Sequence, residues 1–218
     1  MGRRFIYKKN NMLIFDIGAN RGLFSDACLE KHKDCKIVLI EANPNLIEIL
    51  KQKYKNQSNI IILNNIADKN SYTEIDFYIS NADTISTASL DWINKSRFAN
   101  DYIWQAPIKI ISISLDKLIE MHGSPDLIKI DVEGYEFEVI QGLNKKQKKI
   151  CFEWTEEEYI KINLICQHLE KLGYYKFGYI FGDQPLSEPN LYTSWNECSL
   201  HQVIDSKRKE KWGMIWVQ

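Results

Sequence analysis

The feature that most constrains the fold is a glycine-containing turn placed directly after a short apolar run. The run Met12-Leu13-Ile14 leads into Phe15-Asp16-Ile17-Gly18-Ala19-Asn20-Arg21-Gly22. An apolar run bounded by glycines is typical of a buried parallel strand, and glycines let a backbone turn sharply and approach a ligand closely. Residues 23–29 then follow an amphipathic helical pattern. Strand, tight turn and helix N-terminus together predict a nucleotide-type binding site.

The spacing of the glycines narrows the class of ligand. A dinucleotide fingerprint that starts at Gly18 requires glycines at positions 20 and 23, where the chain has Asn20 and Leu23. A nicotinamide-dependent oxidoreductase is therefore disfavoured, and it is kept as the alternative function. The remaining pattern, Asp-x-Gly-x-Asn-x-Gly, resembles the first motif of S-adenosylmethionine (SAM)-dependent methyltransferases.

Short apolar runs alternate with helical patterns along most of the chain, which predicts an α/β fold with a parallel sheet. With 218 residues and 44% hydrophobic content, the chain can bury one sizeable core, and we expect a single domain over residues 1–218. Core strands are predicted at residues 12–16, 37–40, 60–63, 127–130 and 150–153. Closing strands are predicted at residues 175–181 and 214–217.

Residues 71–107 interrupt this alternation. A strand pattern at residues 75–79 is followed by small polar residues from 83 to 89, and then by aromatic and charged residues from 92 to 104. A long irregular connection in a compact domain is often functional, so this segment is predicted to be an insertion that covers the substrate. A surface excursion packed on its own aromatic side chains is the alternative.

Polar or acidic residues stand where the predicted core strands end, at Asp16, Glu41, Asn64-Asn65, Asp131 and Glu153. Ligands of open parallel sheets bind beyond the carboxyl ends of the strands. Any one of these residues could simply begin a turn, but several at one edge, beside a glycine turn, predict a site. Glu41 lies 23 residues after Gly18, where a carboxylate can accept both ribose hydroxyls of either NAD or SAM.

Four stretches, in the family's own order, resemble the FkbM family of methyltransferases: Phe15-Asp16-Ile17-Gly18-Ala19-Asn20-Arg21-Gly22, Glu41-Ala42-Asn43-Pro44, Ser114-Leu115-Asp116-Lys117-Leu118 and Lys129-Ile130-Asp131-Val132-Glu133-Gly134-Tyr135-Glu136. The resemblance covers about residues 12–154. It implies a Rossmann-like class I methyltransferase fold, with a mostly parallel, doubly wound sheet and an antiparallel closing strand. It also implies SAM as the methyl donor and O-methylation, often of a sugar or polyketide hydroxyl.

The resemblance assigns cofactor binding to the glycine turn and the ribose acid, that is to Asp16, Gly18, Asn20, Gly22 and Glu41. Asn43 is a further cofactor candidate, and it is also a suitable N-cap before Pro44. Asn65 and Asp68 follow the third strand, where an adenine ring would lie, and complete the cofactor candidates.

Asp131, Glu133 and Glu153 are the candidate catalytic residues. An aliphatic hydroxyl is a poor nucleophile at neutral pH, so it needs a base or a metal ion. A carboxylate cluster can supply either, since Mg²⁺ prefers oxygen ligands. For Glu133, and more so for Glu136, the alternative is that the acid stabilises the N-terminus of the next helix. Among the histidines, only His201 could reach the site, and it is not expected to be the base.

Charge and motif content argue against several other functions. The formal net charge of −1 gives no general attraction for nucleic acid or anionic membranes. The (Asp/Asn/Ser)-Pro-Pro-aromatic motif of amino methyltransferases that act on nucleic acid does not follow the fourth strand. No apolar stretch approaches the roughly 18 residues of a membrane span, and the N-terminus lacks the apolar core of a signal peptide. The FkbM resemblance implies instead a sugar or another hydroxyl-bearing small molecule as the acceptor.

The five cysteines include no C-x-x-C pair, which argues against a disulfide framework and predicts a cytoplasmic protein. A non-catalytic scaffold that keeps the fold is the last alternative. The joint presence of the glycine turn, Glu41 and the carboxylates argues against it, because a scaffold needs no such combination.

Overall fold

The computed structural model describes residues 12–182, 184, 186–198, 200, 209 and 211–218, so residues 1–11 and His201 lie outside the described part. The strands are β1 (Leu13–Ile17), β2 (Lys36–Ile40), β3 (Ile60–Leu63), β4 (Ile66–Ala67), β5 (Glu74–Phe77), β6 (Ile108–Ile113), β7 (Leu127–Ile130), β8 (Ile150–Thr155), β9 (Phe177–Phe181) and β10 (Trp212–Val217). The helices are α1 (Leu23–Lys31), α2 (Pro44–Lys53), α3 (Leu90–Lys95), α4 (Leu115–His122), α5 (Glu136–Ile140), α6 (Tyr159–Lys171) and α7 (Trp195–Cys198).

The main sheet has seven strands in the order β3-β2-β1-β7-β8-β10-β9. The pairs from β3 to β8 are parallel, whereas β10 runs antiparallel to both β8 and β9. This confirms the predicted mostly parallel sheet with an antiparallel closing strand. A smaller sheet, β4-β6-β5, lies outside it.

Both faces of the main sheet are covered, because successive residues of each strand point to opposite sides. One apolar cluster joins Phe15 and Ile17 of β1 to residues of α4, α5 and α6. The other joins Ile14 of the same strand to Cys28 of α1 and Leu50 of α2. The strands therefore read as nearly continuous apolar runs, as expected for a sheet buried on both sides.

The strand order reverses between β1 and β7, which follow different crossover connections but lie side by side. The segments that leave these two strands must separate, and this switch point is where open α/β sheets bind ligands. Here the backbone N–H of Asp131, after β7, donates to the carbonyl of Ile17 at the end of β1, at 3.1 Å. The glycine turn and the Asp131 segment are thus direct neighbours.

Several predicted boundaries are corrected. The first strand extends to Ile17, so Asp16 lies inside β1, and β8 extends to Thr155, so Glu153 lies inside that strand rather than at its end. Residues 71–107 are not irregular throughout, since they contain β5, a 3-10 turn at Asp83–Ile85 and α3. β4 escapes prediction because two residues are too short to show a period.

No helix within the described ranges is both long enough and apolar enough to cross a lipid bilayer.

Candidate active site

A cavity of about 310 Å³ opens at the switch point, beyond the carboxyl ends of β1, β2 and β7. This volume lies at the small end of the range for ligand pockets. Its wall combines the glycine turn, residues 65–67 after β3, part of the 71–107 segment and the residues that follow β7. Phe24, Phe77, Tyr135 and Trp212 contribute aromatic surface.

The glycines of the turn have a steric reason. Gly18 has φ +74°, and a Cβ at this position would lie 1.8 Å from the carbonyl oxygen of Asp131. Gly22 has φ +76°, and its Cβ would lie 2.4 Å from the hydroxyl of Tyr54. Gly18 lines the cavity, whereas Gly22 does not and instead turns the chain into α1. Only a residue without a side chain allows these two close approaches.

Glu41 is held by the backbone on both sides of its carboxylate. Its Oε2 accepts the N–H of Asn20 at 2.7 Å, and its Oε1 accepts the N–H of Asn43 at 2.7 Å. The residue is only 6% exposed, yet it lines the cavity. Burial raises the pKa of Glu41, and the two N–H groups oppose that rise. Since each carboxylate oxygen has two lone pairs, both oxygens can still accept a ligand hydroxyl.

The remaining cofactor candidates divide into lining and supporting residues. Asn65 lines the cavity beside Ile66 and Ala67, so the surface next to it is apolar. Asp68 does not line it and instead accepts the hydroxyl of Tyr135 at 3.0 Å. Asn43 caps α2, where its Oδ1 accepts the N–H of Asn45 at 3.0 Å, and its own backbone N–H orients Glu41.

Asp16 also faces away from the cavity. It is fully buried, and its Oδ2 accepts the hydroxyl of Ser25 at 2.6 Å. Its Oδ1 lies 3.6 Å from the ammonium of Lys129, its register neighbour on β7. Burial raises the pKa of Asp16, while Lys129 and Ser25 act in the opposite direction.

Four carboxyl groups lie close together on the other side of the cavity. They are called here the acid cluster and belong to Asp131, Glu133, Glu136 and Glu153. Ligand atoms of Asp131, Glu136 and Glu153 all lie within 4.8 Å of one another, which is close enough for a shared cation. Asp131, Glu133 and Glu153 line the cavity. Glu136, the first residue of α5, is buried and accepts the N–H of Val132 at 2.9 Å.

Three carboxyl groups of the acid cluster, those of Glu133, Glu136 and Glu153, resist ionisation. Burial raises the pKa of Glu136 to about 7, although the N–H of Val132 opposes the rise. Burial, followed by the charge of Asp131, raises the pKa of Glu133 well above its usual range. The pKa of Glu153 is raised by burial and by Glu133. Crowded acids cannot all be charged at once unless a cation joins them.

The segment 80–89, called here the strap, crosses the cavity from the glycine turn to the acid cluster. At one end the Asp83 carboxylate forms an ion pair with Arg21, at 2.5 Å, and its backbone carbonyl accepts the side-chain amide of Asn20 at 3.2 Å. At the other end Thr87 donates its hydroxyl to the carbonyl of Glu133 at 2.7 Å. The strap therefore contacts both halves of the site.

Seven of the eleven predicted site residues line one cavity: Gly18, Asn20, Glu41, Asn65, Asp131, Glu133 and Glu153. The other four, Asp16, Gly22, Asn43 and Asp68, lie behind the wall. Sequence reasoning missed Lys129, which lines the cavity, and treated Glu136 mainly as a helix-terminal acid. A lysine inside the apolar run Leu127-Ile128-Lys129-Ile130 was the available signal, because an unpaired lysine is almost never buried.

A mostly parallel seven-stranded sheet with one antiparallel strand, a glycine turn after β1 and a buried acid after β2 together define a class I SAM-dependent methyltransferase. Residues 16–176 match the methyltransferase FkbM domain. The chain therefore belongs to the FkbM methyltransferase family, for which SAM is the methyl donor. No curated protein matches the chain in sequence.

Solved structures with a similar fold share little sequence with the chain. Precorrin-6y C5,15-methyltransferase from Geobacter metallireducens has a TM-score of 0.48 at 10% identity, over 95% of this chain and 80% of that one. Aeropyrum pernix fibrillarin, solved with natively bound SAM, has a TM-score of 0.48 at 11% identity, and the match covers 95% of this chain and 66% of that one. A predicted O-methyltransferase from Agrobacterium tumefaciens has a TM-score of 0.49 at 8% identity, and the match covers 97% of this chain and 76% of that one.

Proposed function

We propose that this protein transfers the methyl group of SAM to a hydroxyl of a sugar or another small acceptor. The observation that carries the proposal is the arrangement of Glu41 and the acid cluster around one cavity. Glu41 offers hydrogen-bond acceptors suited to a ribose, while Asp131, Glu133 and Glu153 offer groups suited to removing a hydroxyl proton.

The cofactor side suits SAM through the hydrogen-bond acceptors of Glu41 and the apolar surface beside Asn65. Glu41 is fixed by two backbone N–H groups, at 2.7 Å each, before any ligand arrives, so it is preorganised to accept two ribose hydroxyls. The apolar surface at Ile66 and Ala67 suits an adenine ring. When bound, SAM supplies a methyl group on a positively charged sulfur. Gly18 lets the backbone of the turn reach this side without a clash.

Asp131 is proposed as the base that takes the hydroxyl proton. Its side chain lines the cavity, and its Oδ2 lies 3.3 Å from the buried ammonium of Lys129. Glu133 and Glu153 have raised pKa values and therefore favour their protonated forms. Oδ1 of Asp131, the oxygen that Lys129 does not contact, is the proposed proton acceptor.

A divalent cation is the second way in which the acid cluster could act. Asp131, Glu136 and Glu153 present oxygen atoms within 4.8 Å of one another, and Mg²⁺ is the common cation for such ligands. A cation would lower the pKa of the hydroxyl directly. Chelation separates the two roles, because loss of activity that Mg²⁺ restores would favour the metal and unchanged activity would favour Asp131 as a base.

The acceptor is proposed to be a small molecule rather than nucleic acid. Phosphate groups would meet the carboxyl groups of the acid cluster, and each carboxylate that ionises there would repel them. The aromatic rings of Phe77, Tyr135 and Trp212 offer flat apolar surface of the kind on which sugar rings can pack. The strap, together with the rest of residues 83–104, is proposed to cover the acceptor.

The test is a screen with methyl-labelled SAM against neutral sugars, amino sugars and short glycans, read by mass spectrometry and by the position of the label. We expect a methyl ether on one acceptor hydroxyl and no binding of NAD by calorimetry. Label on nitrogen or carbon would contradict O-methyl transfer. Binding of NAD in place of SAM would contradict the cofactor assignment.

A further inference from the structure

Lys129 is the buried cation of the site, and each of its polar contacts belongs to the machinery described above. Its ammonium donates to the carbonyl of Gly18 at 3.0 Å. It lies 3.6 Å from Oδ1 of Asp16 and 3.3 Å from Oδ2 of Asp131. The residue is only 7% exposed, on a strand whose other residues are apolar.

Burying this charge carries a desolvation cost that an apolar side chain would avoid. Burial alone would lower the pKa of Lys129, but Asp131 and Asp16 more than offset that effect, so the pKa is raised and the ammonium stays charged. Replacing a buried ion pair with apolar side chains of similar volume is often neutral or stabilising. A methionine would fill much the same volume between β1 and α1 without any charge to satisfy.

The position of Lys129 suggests what its charge contributes. Gly18 belongs to the cofactor side of the cavity, and Asp131 belongs to the acceptor side. The single ammonium of Lys129 contacts both the Gly18 carbonyl and the Asp131 carboxylate. The ammonium also lies 3.6 Å from Oδ1 of the buried Asp16, so a second acid favours keeping it in this position.

We propose that Lys129 is a positioning residue of methyl transfer, which fixes the Asp131 carboxylate relative to the Gly18 carbonyl so that base and cofactor keep one separation. The inference rests on the proposed function and deepens it. Reacting groups that are misplaced by about 1 Å can lose about 100-fold in rate. The competing explanation is that Lys129 only neutralises the buried charge of Asp16.

The experiment compares Lys129→Met with the double variant Asp16→Asn/Lys129→Met, in the full-length protein. The double variant removes both buried charges and keeps similar side-chain volumes, so it should fold even if the single variant does not. The measurements are thermal unfolding, calorimetric affinity for S-adenosylhomocysteine (SAH), and kcat and KM with the acceptor found in the labelled-SAM screen.

For the double variant we expect a melting temperature close to the wild-type value. SAH affinity should be lower by about two- to tenfold, because Gly18 loses a hydrogen bond. The kcat should be lower by about 10- to 100-fold, with the acceptor KM changed less than about threefold. In an Asp131→Asn background, adding Lys129→Met should lower kcat by less than about twofold, since the two residues act as one unit.

Wild-type kcat in the double variant would overturn the proposal. Independent, multiplying losses of kcat from Lys129→Met and Asp131→Asn would overturn it as well. Absence of methyl transfer by the wild type would instead overturn the proposed function, and the SAH affinity of the double variant would still decide whether Lys129 holds the Gly18 side: a loss supports the inference and an unchanged value overturns it.

Discussion

The two halves of the cavity treat negative charge in opposite ways. On the cofactor side a single carboxylate, Glu41, accepts two backbone N–H groups. On the acceptor side the carboxyl groups of the acid cluster face one another, and the contacts described for them are one backbone N–H, to Glu136, and one ammonium, from Lys129 to Asp131. The first half is satisfied before a ligand binds. In the second half the carboxyl groups repel one another when they ionise, and a bound proton or cation reduces that repulsion.

This difference assigns different tasks to the halves. A carboxylate fixed by backbone donors recognises neutral hydroxyls and needs no change of protonation to do so. The pKa values of Glu133, Glu136 and Glu153 are raised by burial, and shifted acids of this kind are typical of sites that carry out general acid–base chemistry. We therefore expect substitutions in the first half to change binding and substitutions in the second half to change turnover.

The largest effect is expected for Asp131→Asn. The variant keeps the shape of the side chain but removes the charge that accepts the hydroxyl proton, so kcat should fall about 10²–10⁴-fold. SAH affinity, measured by calorimetry, should change less than about threefold. The control is Asp76→Asn, which removes an exposed ion pair with Lys109 away from the cavity and should leave both values unchanged. Near wild-type turnover in Asp131→Asn would transfer the role to Glu133 or Glu153.

A smaller effect, and on binding, is expected for Glu41→Gln and Glu41→Ala. SAM and SAH should bind the wild type with affinities in the micromolar range, and Glu41→Ala should weaken SAH binding by roughly 1.5–3 kcal/mol, the scale of hydrogen bonds to a charged group. Glu41→Gln keeps the volume and should lose less. Glu48→Gln, on the exposed face of α2, is the matched control. If Glu41→Ala bound SAH as tightly as the wild type, the ribose assignment would be wrong.

The protein should lose stability as the pH rises through neutrality. The pKa of Glu136 rises from 4.5 to about 7 on folding, chiefly through burial, so the folded state binds more protons than the unfolded state between these values. The stabilisation is complete below about pH 4.5 and is lost as the pH passes about 7. Relative to Glu136→Gln, the wild type should lose about 3 kcal/mol between pH 4.5 and pH 8.

Denaturant unfolding at several pH values tests this expectation. Glu48→Gln should follow the wild-type curve, whereas Glu136→Gln should be flatter. If the stability of the wild type and of Glu136→Gln depended on pH in the same way, Glu136 would ionise alike in the folded and unfolded states. The proposed difference in charge between the two halves of the cavity would then be smaller. Mg²⁺ added at pH 8 should restore the melting temperature if the acid cluster holds a metal.

The smallest effect is expected at the strap. Asp83→Asn removes a partly exposed ion pair with Arg21 but keeps the backbone contact to Asn20, so stability should change by less than about 1 kcal/mol. Acceptor binding should slow proteolysis within residues 83–104 of the wild type, and less so in Asp83→Asn. Asp91→Asn removes an exposed pair with Lys95 in the same segment and serves as the control. Unchanged cleavage with the acceptor demonstrably bound would rule out a covering role.

The elements around the proposed cofactor half could be predicted from sequence because their signals are local. Apolar runs, glycine positions and the spacing to Glu41 fixed the order of β1, α1 and β2, and Asn43 was recognised as the cap of α2. The acceptor half depends on registers that a single sequence does not reveal. Asp16 turned out to pair with Lys129 only because β1 and β7 align these residues.

The short elements were missed for a physical reason. β4 and α3 have two and six residues, too few to display a period of 2 or 3.6 clearly. Both are defined by contacts distant in sequence, such as the parallel pairing of Ile66 and Ala67 with β6. Glu136 has the sequence position of a helix-terminal acid, and its proximity to Glu153 is visible only in three dimensions.

The most direct test of the two-halves account is a crystal structure of the protein with SAH bound. We expect both ribose hydroxyls to donate to the Glu41 carboxylate, which keeps its hydrogen bonds from Asn20 and Asn43, and we expect the sulfur to face Asp131. A ribose bound elsewhere in the cavity, or a sulfur that points away from the acid cluster, would contradict the division of the cavity into these two halves.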